Sequence, residues 1–266
     1  MERIHLSVEQ QIFSVISWLI ILTLIQISLY PSLKKIFNSF AFPAAFSASL
    51  LIFTILSWYC GLIHLPVQLS LLPFLALLVY HIWHRDYTIE ELKKEWRWEL
   101  LFLIFFFLML DVRFVNPTIS YAEKFMDHAF LASVIRTPVV PPLDPWFAGG
   151  TLNVYYYLGY WMFGCLAIVS GVPSNIAFNL ALPTVFGIAA VNVYAIGTLA
   201  LAVTFGLAGV SPAVATLIAV IDHLIKNLIT LAGGIISIYY FGDWVVPSIK
   251  NAMNTKFGSG EDTPER

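Results

Sequence analysis

Charged residues are scarce in this sequence, and that scarcity excludes an ordinary water-soluble fold. Only 11% of the 266 residues are Asp, Glu, Lys or Arg, whereas soluble domains carry about 25%. Apolar residues make up 59%, and the mean hydropathy is +0.81. The net charge of −2 is too small to indicate nucleic acid as a partner. Lipid is therefore the expected solvent, and membrane lipids are the expected partners.

Cysteine is also rare, and its two residues do not form a recognisable site. Cys60 and Cys165 both fall inside apolar stretches. That spacing is not typical of a disulfide framework, and no Cys/His cluster indicates zinc. We expect buried thiols. The first apolar run lacks a following cleavage site of the A-x-A type, so we interpret it as a spanning helix that is not removed.

Apolar runs are abundant, and five of them approach the roughly 20 residues that a spanning helix needs. They are Ile12–Tyr30, Phe40–Leu62, Val67–Trp83, Trp98–Val112 and Ile176–Phe205. Two further stretches are ambiguous. Thr151–Ser170 either spans or lies flat in the interface, and Leu207–Leu231 either ends near Ile221 or contains an Asp222–Lys226 pair. The predicted fold is all-α, a polytopic bundle of about six to eight membrane helices with one long outer loop carrying short juxtamembrane helices.

Lysine and arginine are unevenly distributed among the connections, and this predicts an orientation. Lys34 and Lys35 follow the first run, and the stretch Arg85–Glu99 is rich in charge, whereas the second connection has no Lys or Arg. By the positive-inside rule the first and third connections are cytoplasmic, and the loop 111–150 is extracytoplasmic. Arg85–Glu99 is predicted to form a short amphipathic helix on the inner surface of the cell membrane.

These features divide the chain into three predicted regions. Residues 1–97 form a three-helix membrane region with its cytoplasmic connector. Residues 98–249 form a second membrane region that contains the outer loop. Residues 250–266 are polar and contain Gly, Ser and Pro, so we expect a disordered tail.

The outer loop 111–150 contains acids at helical spacing. Loops of this length are uncommon unless they are functional. Glu123 and Asp127 are four residues apart, so on a helix both carboxylates face one side. There they can act as a general base, hold a metal, or simply face water.

Other polar and aromatic residues of this region each leave two interpretations open. Arg136 either binds a phosphate or lies at the interface, and Arg113 at the end of a span is interpreted as snorkelling. Asp144, held between two prolines, either shapes a site or forms a turn. The aromatic run Tyr155–Trp161 is either an interface belt or a stacking wall for a sugar or a lipid headgroup.

Together these residues resemble a known family. The motif consists of Glu123-Lys-Phe-Met-Asp127-His-Ala-Phe-Leu131, then Pro141-Pro-Leu-Asp144-Pro-Trp146-Phe-Ala-Gly-Gly150, then Asn153-Val-Tyr155-Tyr-Tyr157-Leu-Gly-Tyr160. From about Trp98 to Pro183 the chain resembles the uncharacterised "YYY" family of highly hydrophobic membrane proteins, known mainly from archaea and Chloroflexi. That family is similar in layout to the GT-C glycosyltransferases, which use polyprenyl-phosphate-linked sugars.

The resemblance implies a GT-C-type glycosyltransferase, whether complete, truncated or split across two chains. Glu123 or Asp127 would be the catalytic base or, with a divalent ion such as Mg or Mn, the metal ligand, and Arg136 would hold the lipid phosphate. The other implied substrate-binding residues are Asp144, Trp146, Asn153, Tyr155, Tyr156 and Tyr157. One alternative is a non-catalytic subunit that completes a helix bundle with a partner chain. A transporter is disfavoured, because the acids cluster outside the membrane.

Overall fold

A computed structural model of the chain describes residues 7–119, 122–153 and 157–207, and these residues confirm the all-α prediction. Seven α-helices fall within those ranges, and no strand does. The helices are α1 (Val8–Phe37), α2 (Ala41–Leu62), α3 (Leu72–Trp83), α4 (Ile89–Val115), α5 (Ala122–Arg136), α6 (Tyr157–Ser170) and α7 (Ser174–Leu207). Short 3-10 helices, Asn38–Phe40 and Val67–Leu71, precede α2 and α3.

The stretch Leu207–Leu231 with its Asp222–Lys226 pair lies outside the described residues, except for Leu207 itself, and so does the tail 250–266. The chain divides into two compact units, residues 1–195 and 196–266. The second is described only over the last turns of α7.

Helix α1 begins and ends as its sequence dictates. Ser7 and Gln10 form a reciprocal capping box at its start, which satisfies two backbone N–H groups that the helix leaves free. Lys34 and Lys35 lie in its last turn, where they complement the helix dipole. Asn38 follows with φ of 49°, a left-handed conformation that ends the helix.

Within the described ranges, two stretches are long and apolar enough to cross a bilayer, Val8–Leu62 (which runs through α1 and α2) and Ser174–Thr198. Tyr157–Ser170 and Val67–Trp83 are shorter apolar helices. The predicted span Val67–Trp83 consists of five residues of 3-10 helix and twelve of α-helix, which is near the lower limit of about 17 residues for a span. Many large apolar side chains along these helices are exposed, as lipid-facing surfaces require.

Helix α4 corrects two boundaries predicted from sequence. A separate amphipathic helix over Arg85–Glu99 and an outer loop beginning at residue 111 are both wrong, because one continuous helix of 27 residues runs from Ile89 to Val115. The sequence between those residues contains neither Gly nor Pro, so nothing interrupts the helix. It ends before Pro117, where the preceding residue, Asn116, is disfavoured in a helical conformation. The predicted division between residues 97 and 98 also falls inside this helix.

Helix α6 occupies the core of the first unit. It is 14 residues long, so it rises about 21 Å. Trp161, Cys165 and Leu166 on it are fully buried. Cys165 is therefore the buried thiol that was predicted, while Cys60 is half-buried, and both are free. Helix α6, which forms the second part of the predicted stretch Thr151–Ser170, therefore packs among the other helices of the first unit.

Candidate functional site

The predicted helix that carries the two acids is present as α5. Glu123 and Asp127 lie one turn apart near its start, as their spacing predicted. Glu123 is exposed and Asp127 is half-buried. Among the described residues, the carboxylate of Asp127 contacts another helix.

That contact is a hydrogen bond to Tyr160 on α6. The Tyr160 hydroxyl donates to Asp127 Oδ1 at 2.5 Å, which is at the short end for an O–H to carboxylate bond. The Tyr160 ring also packs on Phe130, with the ring centres 5.4 Å apart. Tyr160 therefore fixes the rotamer of Asp127 and the position of its second oxygen.

Close packing between α5 and α6 holds this pair in register. Gly164 lies against Val134, and a β-carbon built on Gly164 would come within 2.7 Å of Val134 Cγ1. The absence of a side chain at Gly164 therefore allows α6 to approach α5. On the other side of α6, the indole of Trp161 donates to Ser57 Oγ on α2 at 3.2 Å.

A cavity of about 400 Å³ lies between α4, α5, α6 and α7, and of this pair Tyr160 lines it. Its wall is mostly apolar. Its polar lining comes from Arg113, Lys124 and Tyr160. Two cations beside an apolar space suit an amphiphile with an anionic headgroup.

Arg113 is fixed in place and borders a second cavity. Its guanidinium donates through Nε to Asn179 Oδ1 at 3.0 Å and also through Nη2. Its Cζ lies 6.0 Å from the centre of the Phe178 ring. The second cavity, of about 450 Å³, lies between α1, α4 and α7, and its lining also includes Arg113 and Asn179. The structure thus gives Arg113 a hydrogen-bond partner in Asn179, and the snorkelling expected from sequence stays a prediction.

His128 is a further polar group in this region. Its ring meets Phe178 edge-on at 5.7 Å. Its Nε2 is buried and has no hydrogen-bond partner among the residues that the structure describes. Burial lowers the pKa of His128 below 6.5, so the ring is neutral at pH 7 and can donate or accept a hydrogen bond.

The segment after α5 folds back on itself and is tied to α5. The backbone N–H of Asp144 donates to Gly150 O at 3.0 Å. The Asp144 Oδ1 accepts from the backbone N–H of Trp146 at 2.8 Å. Asp144 therefore forms a turn, one of the two roles open from sequence. Ser133 on α5 donates to Leu143 O at 2.8 Å, which holds the segment against the helix.

The structure separates several residues that the sequence grouped together. Arg136 is exposed at the far end of α5, about 14 Å along the helix from Asp127. Trp146 is exposed and packs on Phe125 of α5, with ring centres 5.7 Å apart. Asn153 is exposed as well and accepts from Thr151 at 3.3 Å.

The tyrosine run is only partly described. Tyr155 and Tyr156 lie outside the described residues. The Tyr157 hydroxyl accepts a hydrogen bond of 2.9 Å from the indole of Trp58. That bond joins α6 to α2, so Tyr157 has a structural partner.

The donor set fits a protein-built metal site poorly. Within the described ranges, no group of three or more His, Cys, Asp and Glu converges. One oxygen of Asp127 is already bonded to Tyr160, and Glu123 faces outward. Two carboxylates are fewer ligands than a divalent ion takes from a dedicated protein site.

Comparison with known proteins places the chain in a family. Residues 52–231 match the model of a family described as "Uncharacterized membrane protein (DUF2298)". The chain belongs to the DUF2298 family. The resemblance to an uncharacterised membrane family is therefore confirmed, and DUF2298 membership places the protein in the membrane. No curated protein and no solved structure matches the chain significantly.

The part of the chain that matches DUF2298 contains every residue of the site described above. Asp127, Tyr160, Arg113 and His128 all lie within it, whereas α1 lies before it. Sequence reasoning singled out Asp127 but found neither the Arg113–Asn179 pair nor the burial of His128. The sequence signal for Arg113 was its position just after an apolar run. That position does not indicate Asn179, its hydrogen-bond partner 66 residues away.

Proposed function

We propose that this protein is a multi-pass membrane glycosyltransferase that takes its sugar from a polyprenyl-phosphate carrier. The observation that carries the proposal is the Asp127–Tyr160 hydrogen bond beside the apolar cavity with Arg113 and Lys124 at its wall. A carboxylate can act as a general base, cations can hold a phosphate, and an apolar space can receive a lipid chain.

In this proposal Asp127 is the general base. The acceptor hydroxyl attacks the anomeric carbon and gives its proton to the free oxygen of Asp127. The bond between that carbon and the phosphate oxygen breaks, and the electron pair leaves on the phosphate. Tyr160 positions Asp127 and does not take the proton.

The departing phosphate gains negative charge, and the cations stabilise it. Arg113 is pre-positioned by Asn179 and can present its remaining N–H groups to phosphate oxygens. Lys124 adds a second positive charge. The proposal gives Arg113 the role first predicted for Arg136, because Arg136 is about 14 Å along α5 from the base.

The remaining predicted residues keep secondary roles in this proposal. Glu123 is the alternative base. Asp144 shapes the segment that covers α5, and Trp146, Asn153 and the tyrosines Tyr155–Tyr157 contact the acceptor or the sugar. Following the distribution of Lys and Arg, we place α5 and this segment on the extracytoplasmic side.

A direct test is to incubate purified protein with radiolabelled polyprenyl-phosphate sugars and to measure transfer or hydrolysis. Asp127→Asn keeps an oxygen that accepts from Tyr160 but removes the base, so activity is expected to fall about 100- to 10,000-fold. Glu123→Gln is expected to retain activity. The matched control is Glu90→Gln on an exposed acid of α4. Wild-type protein that transfers no sugar from any carrier, or fully active Asp127→Asn, would contradict the proposal.

A second function is favoured by one observation. Phe125, Trp146 and Phe147 are exposed together on the outer segment, which suits contact with a partner chain. In that case the protein is a non-catalytic subunit that completes a helix bundle. Copurification of a partner that is lost in Trp146→Ser/Phe147→Ser, together with no transfer activity, would favour this alternative.

A further inference from the structure

Ser32, His81 and Asp86 form a hydrogen-bonded chain between the end of α1 and the connection that follows α3. The Ser32 hydroxyl oxygen lies 2.8 Å from Nε2 of His81. Nδ1 of the same ring lies 2.6 Å from Oδ2 of Asp86. The His81 side chain is buried. These three residues are separate from the site around Asp127.

The hydrogen bonds determine which nitrogen of His81 carries the proton. The hydrogen bond with His81 lowers the pKa of Asp86 below its ordinary value, so at pH 7 the carboxylate is ionised and only accepts. Nδ1 is therefore the donor. In the neutral ring Nε2 is then the acceptor, and the Ser32 hydroxyl donates to it. A serine that donates to a base, which is in turn oriented by an acid, has the arrangement of an activated nucleophile.

Pro31 begins the series of contacts that holds Asp86 in place. Proline has no backbone N–H, so Ile27 O in α1 lacks the hydrogen bond that residue 31 would normally donate. The Tyr87 hydroxyl donates to Ile27 O at 2.9 Å instead. This bond ties the neighbour of Asp86 to α1. The backbone N–H of Asp86 donates to His81 O at 3.0 Å, so Asp86 is positioned from both sides.

The Ser32 hydroxyl differs from the other serine hydroxyls of α1. Those of Ser14, Ser17 and Ser28 each donate to a carbonyl of their own helix, a common way for a helical serine to satisfy its hydroxyl. The Ser32 hydroxyl is paired with a base on another helix. Ser32 is also only half-buried, so part of its surface is accessible to a reagent.

The surroundings of Ser32 indicate the kind of ester that reaches it. Ser32 lies near the end of α1, within a stretch long and apolar enough to cross a bilayer. Lys34 and Lys35 follow it, and the side chains of Ile36 and Phe37 just beyond are exposed. Such a mixture of cations and apolar side chains is typical of the membrane interface, where the ester groups of lipids lie.

We propose that Ser32 is the nucleophile of a separate hydrolytic site for acyl esters of membrane lipids, with His81 as general base and Asp86 as the residue that orients it. The Ser32 oxygen attacks the ester carbonyl carbon, and its proton passes to Nε2 of His81. The bond to the alcohol oxygen breaks, and the leaving alcohol takes that proton. Water then attacks the acyl–serine ester and gives a proton to His81. Ser32 leaves with this proton, and a carboxylic acid is released.

Lys35 supplies a positive charge for the developing oxyanion. It lies three residues after Ser32, on the same side of the helix, and its charge acts on Asp86. Its ammonium can donate to the carbonyl oxygen as negative charge develops there. The hydrolytic site shares no residue with the proposed transferase site, so its tests do not depend on sugar transfer.

The first test labels the unaltered full chain in mild detergent with a biotinylated alkyl fluorophosphonate. The Ser32 oxygen bonds to phosphorus, fluoride leaves, and the proton passes to His81. Tandem mass spectrometry then identifies the modified peptide. We expect the label on Ser32 in the folded protein and its loss after denaturation in dodecyl sulfate. No label on folded Ser32, or equal labelling of the denatured chain, would overturn the proposal.

Variants separate an activated serine from a structural one. Ser32→Ala should lose the label, whereas Ser17→Ala, which removes another half-buried hydroxyl of α1, should keep it. His81→Gln keeps a polar side chain but removes the base, so the labelling rate should fall about 100- to 10,000-fold. Asp86→Asn should slow labelling roughly 10-fold or more. A wild-type labelling rate in folded His81→Gln would contradict the mechanism. The comparison of folded with denatured wild type decides alone if a variant does not fold.

Two esters with one leaving group test the substrate class. Wild-type protein is given p-nitrophenyl palmitate or p-nitrophenyl acetate, and release of p-nitrophenol is measured. The palmitate ester should be cleaved with a kcat/KM roughly tenfold higher or more, because its chain lies in the apolar surroundings of α1. Ser32→Ala should abolish the release. Faster cleavage of the acetate, or full release by Ser32→Ala, would overturn the assignment to membrane lipids or to Ser32, respectively.

Discussion

The Asp127 carboxylate and the Tyr160 hydroxyl lie 2.5 Å apart although 33 residues separate them in the chain. The bond connects the start of α5 to the first turn of α6. It therefore makes the position of the proposed base depend on the packing of two helices. Tyr160, which the sequence analysis placed in a possible aromatic belt, is thus the residue that positions Asp127.

Removing the Tyr160 hydroxyl should slow catalysis without weakening substrate binding. In Tyr160→Phe, Asp127 loses the bond that fixes its rotamer, and misplacement of a catalytic group by about 1 Å can cost 100-fold. We expect kcat for sugar transfer to fall roughly 10- to 100-fold while KM for the carrier changes little. Tyr59→Phe, on an exposed tyrosine of α2, is the control. Unchanged kcat in Tyr160→Phe would remove Tyr160 from the mechanism.

Two glycines of α6 provide a matched test of how α5 and α6 pack. In Gly164→Ala the new methyl meets Val134 at 2.7 Å, and Val134 is fully buried and cannot move away. We expect a destabilisation of about 1–3 kcal/mol. A β-carbon on Gly159 meets nothing within 4 Å, so Gly159→Ala should stabilise the helix by about 0.5–1 kcal/mol.

The measurement is thermal unfolding of both alanine variants in the same detergent. Gly164→Ala should also lower transferase activity, because it displaces the Asp127–Tyr160 pair. If both variants unfold at the same temperature, then α6 does not lie against Val134 as described.

His128 should make stability depend on pH in the mildly acidic range. Burial lowers its pKa in the folded protein from the ordinary value of 6.5. The unfolded chain therefore binds the proton first, and folded stability is lost as the pH falls below about 6.5 toward the lower folded-state pKa. His128→Phe removes this contribution.

The comparison of wild type with His128→Phe isolates one histidine among six. Unfolding temperatures measured from pH 8 down to pH 5 should fall more steeply for the wild type than for the variant. At pH 8 the variant should be at least as stable, because the buried Nε2 lacks a partner among the described residues. Parallel curves would show that His128 is not buried.

Local sequence patterns predicted the helices well, because each helix is dictated by its own residues. The apolar runs located α1, α2 and α7, and Pro43 lies in the first turn of α2, where proline is tolerated. The helical spacing of Glu123 and Asp127 predicted α5. The error at α4 arose where a charged run was separated from the apolar run after it, although no residue between them breaks a helix.

Contacts between distant residues were beyond local patterns. Nothing in the sequence around Arg113 indicates Asn179 as its partner, and nothing around Asp127 indicates Tyr160. Such pairs are selected by how the helices pack, which a single sequence does not reveal. Asp144 lies between these two situations. Its proline neighbours predicted the turn that it forms, but they left a functional role equally open.

Binding measurements on two arginine variants decide which arginine holds the lipid phosphate. Arg113→Met should weaken binding of radiolabelled polyprenyl phosphate roughly 10- to 100-fold, because a hydrogen bond to a charged group contributes about 1.5–3 kcal/mol. Arg113→Lys should be intermediate, since lysine keeps the charge but not the planar fork of donors. Asn179 would still donate to Asn175 O at 2.9 Å, so α7 should remain in place. Arg136→Met is the matched comparison and should bind like the wild type. The opposite result, with binding lost in Arg136→Met and kept in Arg113→Met, would return the phosphate to the end of α5 and separate it from the cavity beside Asp127.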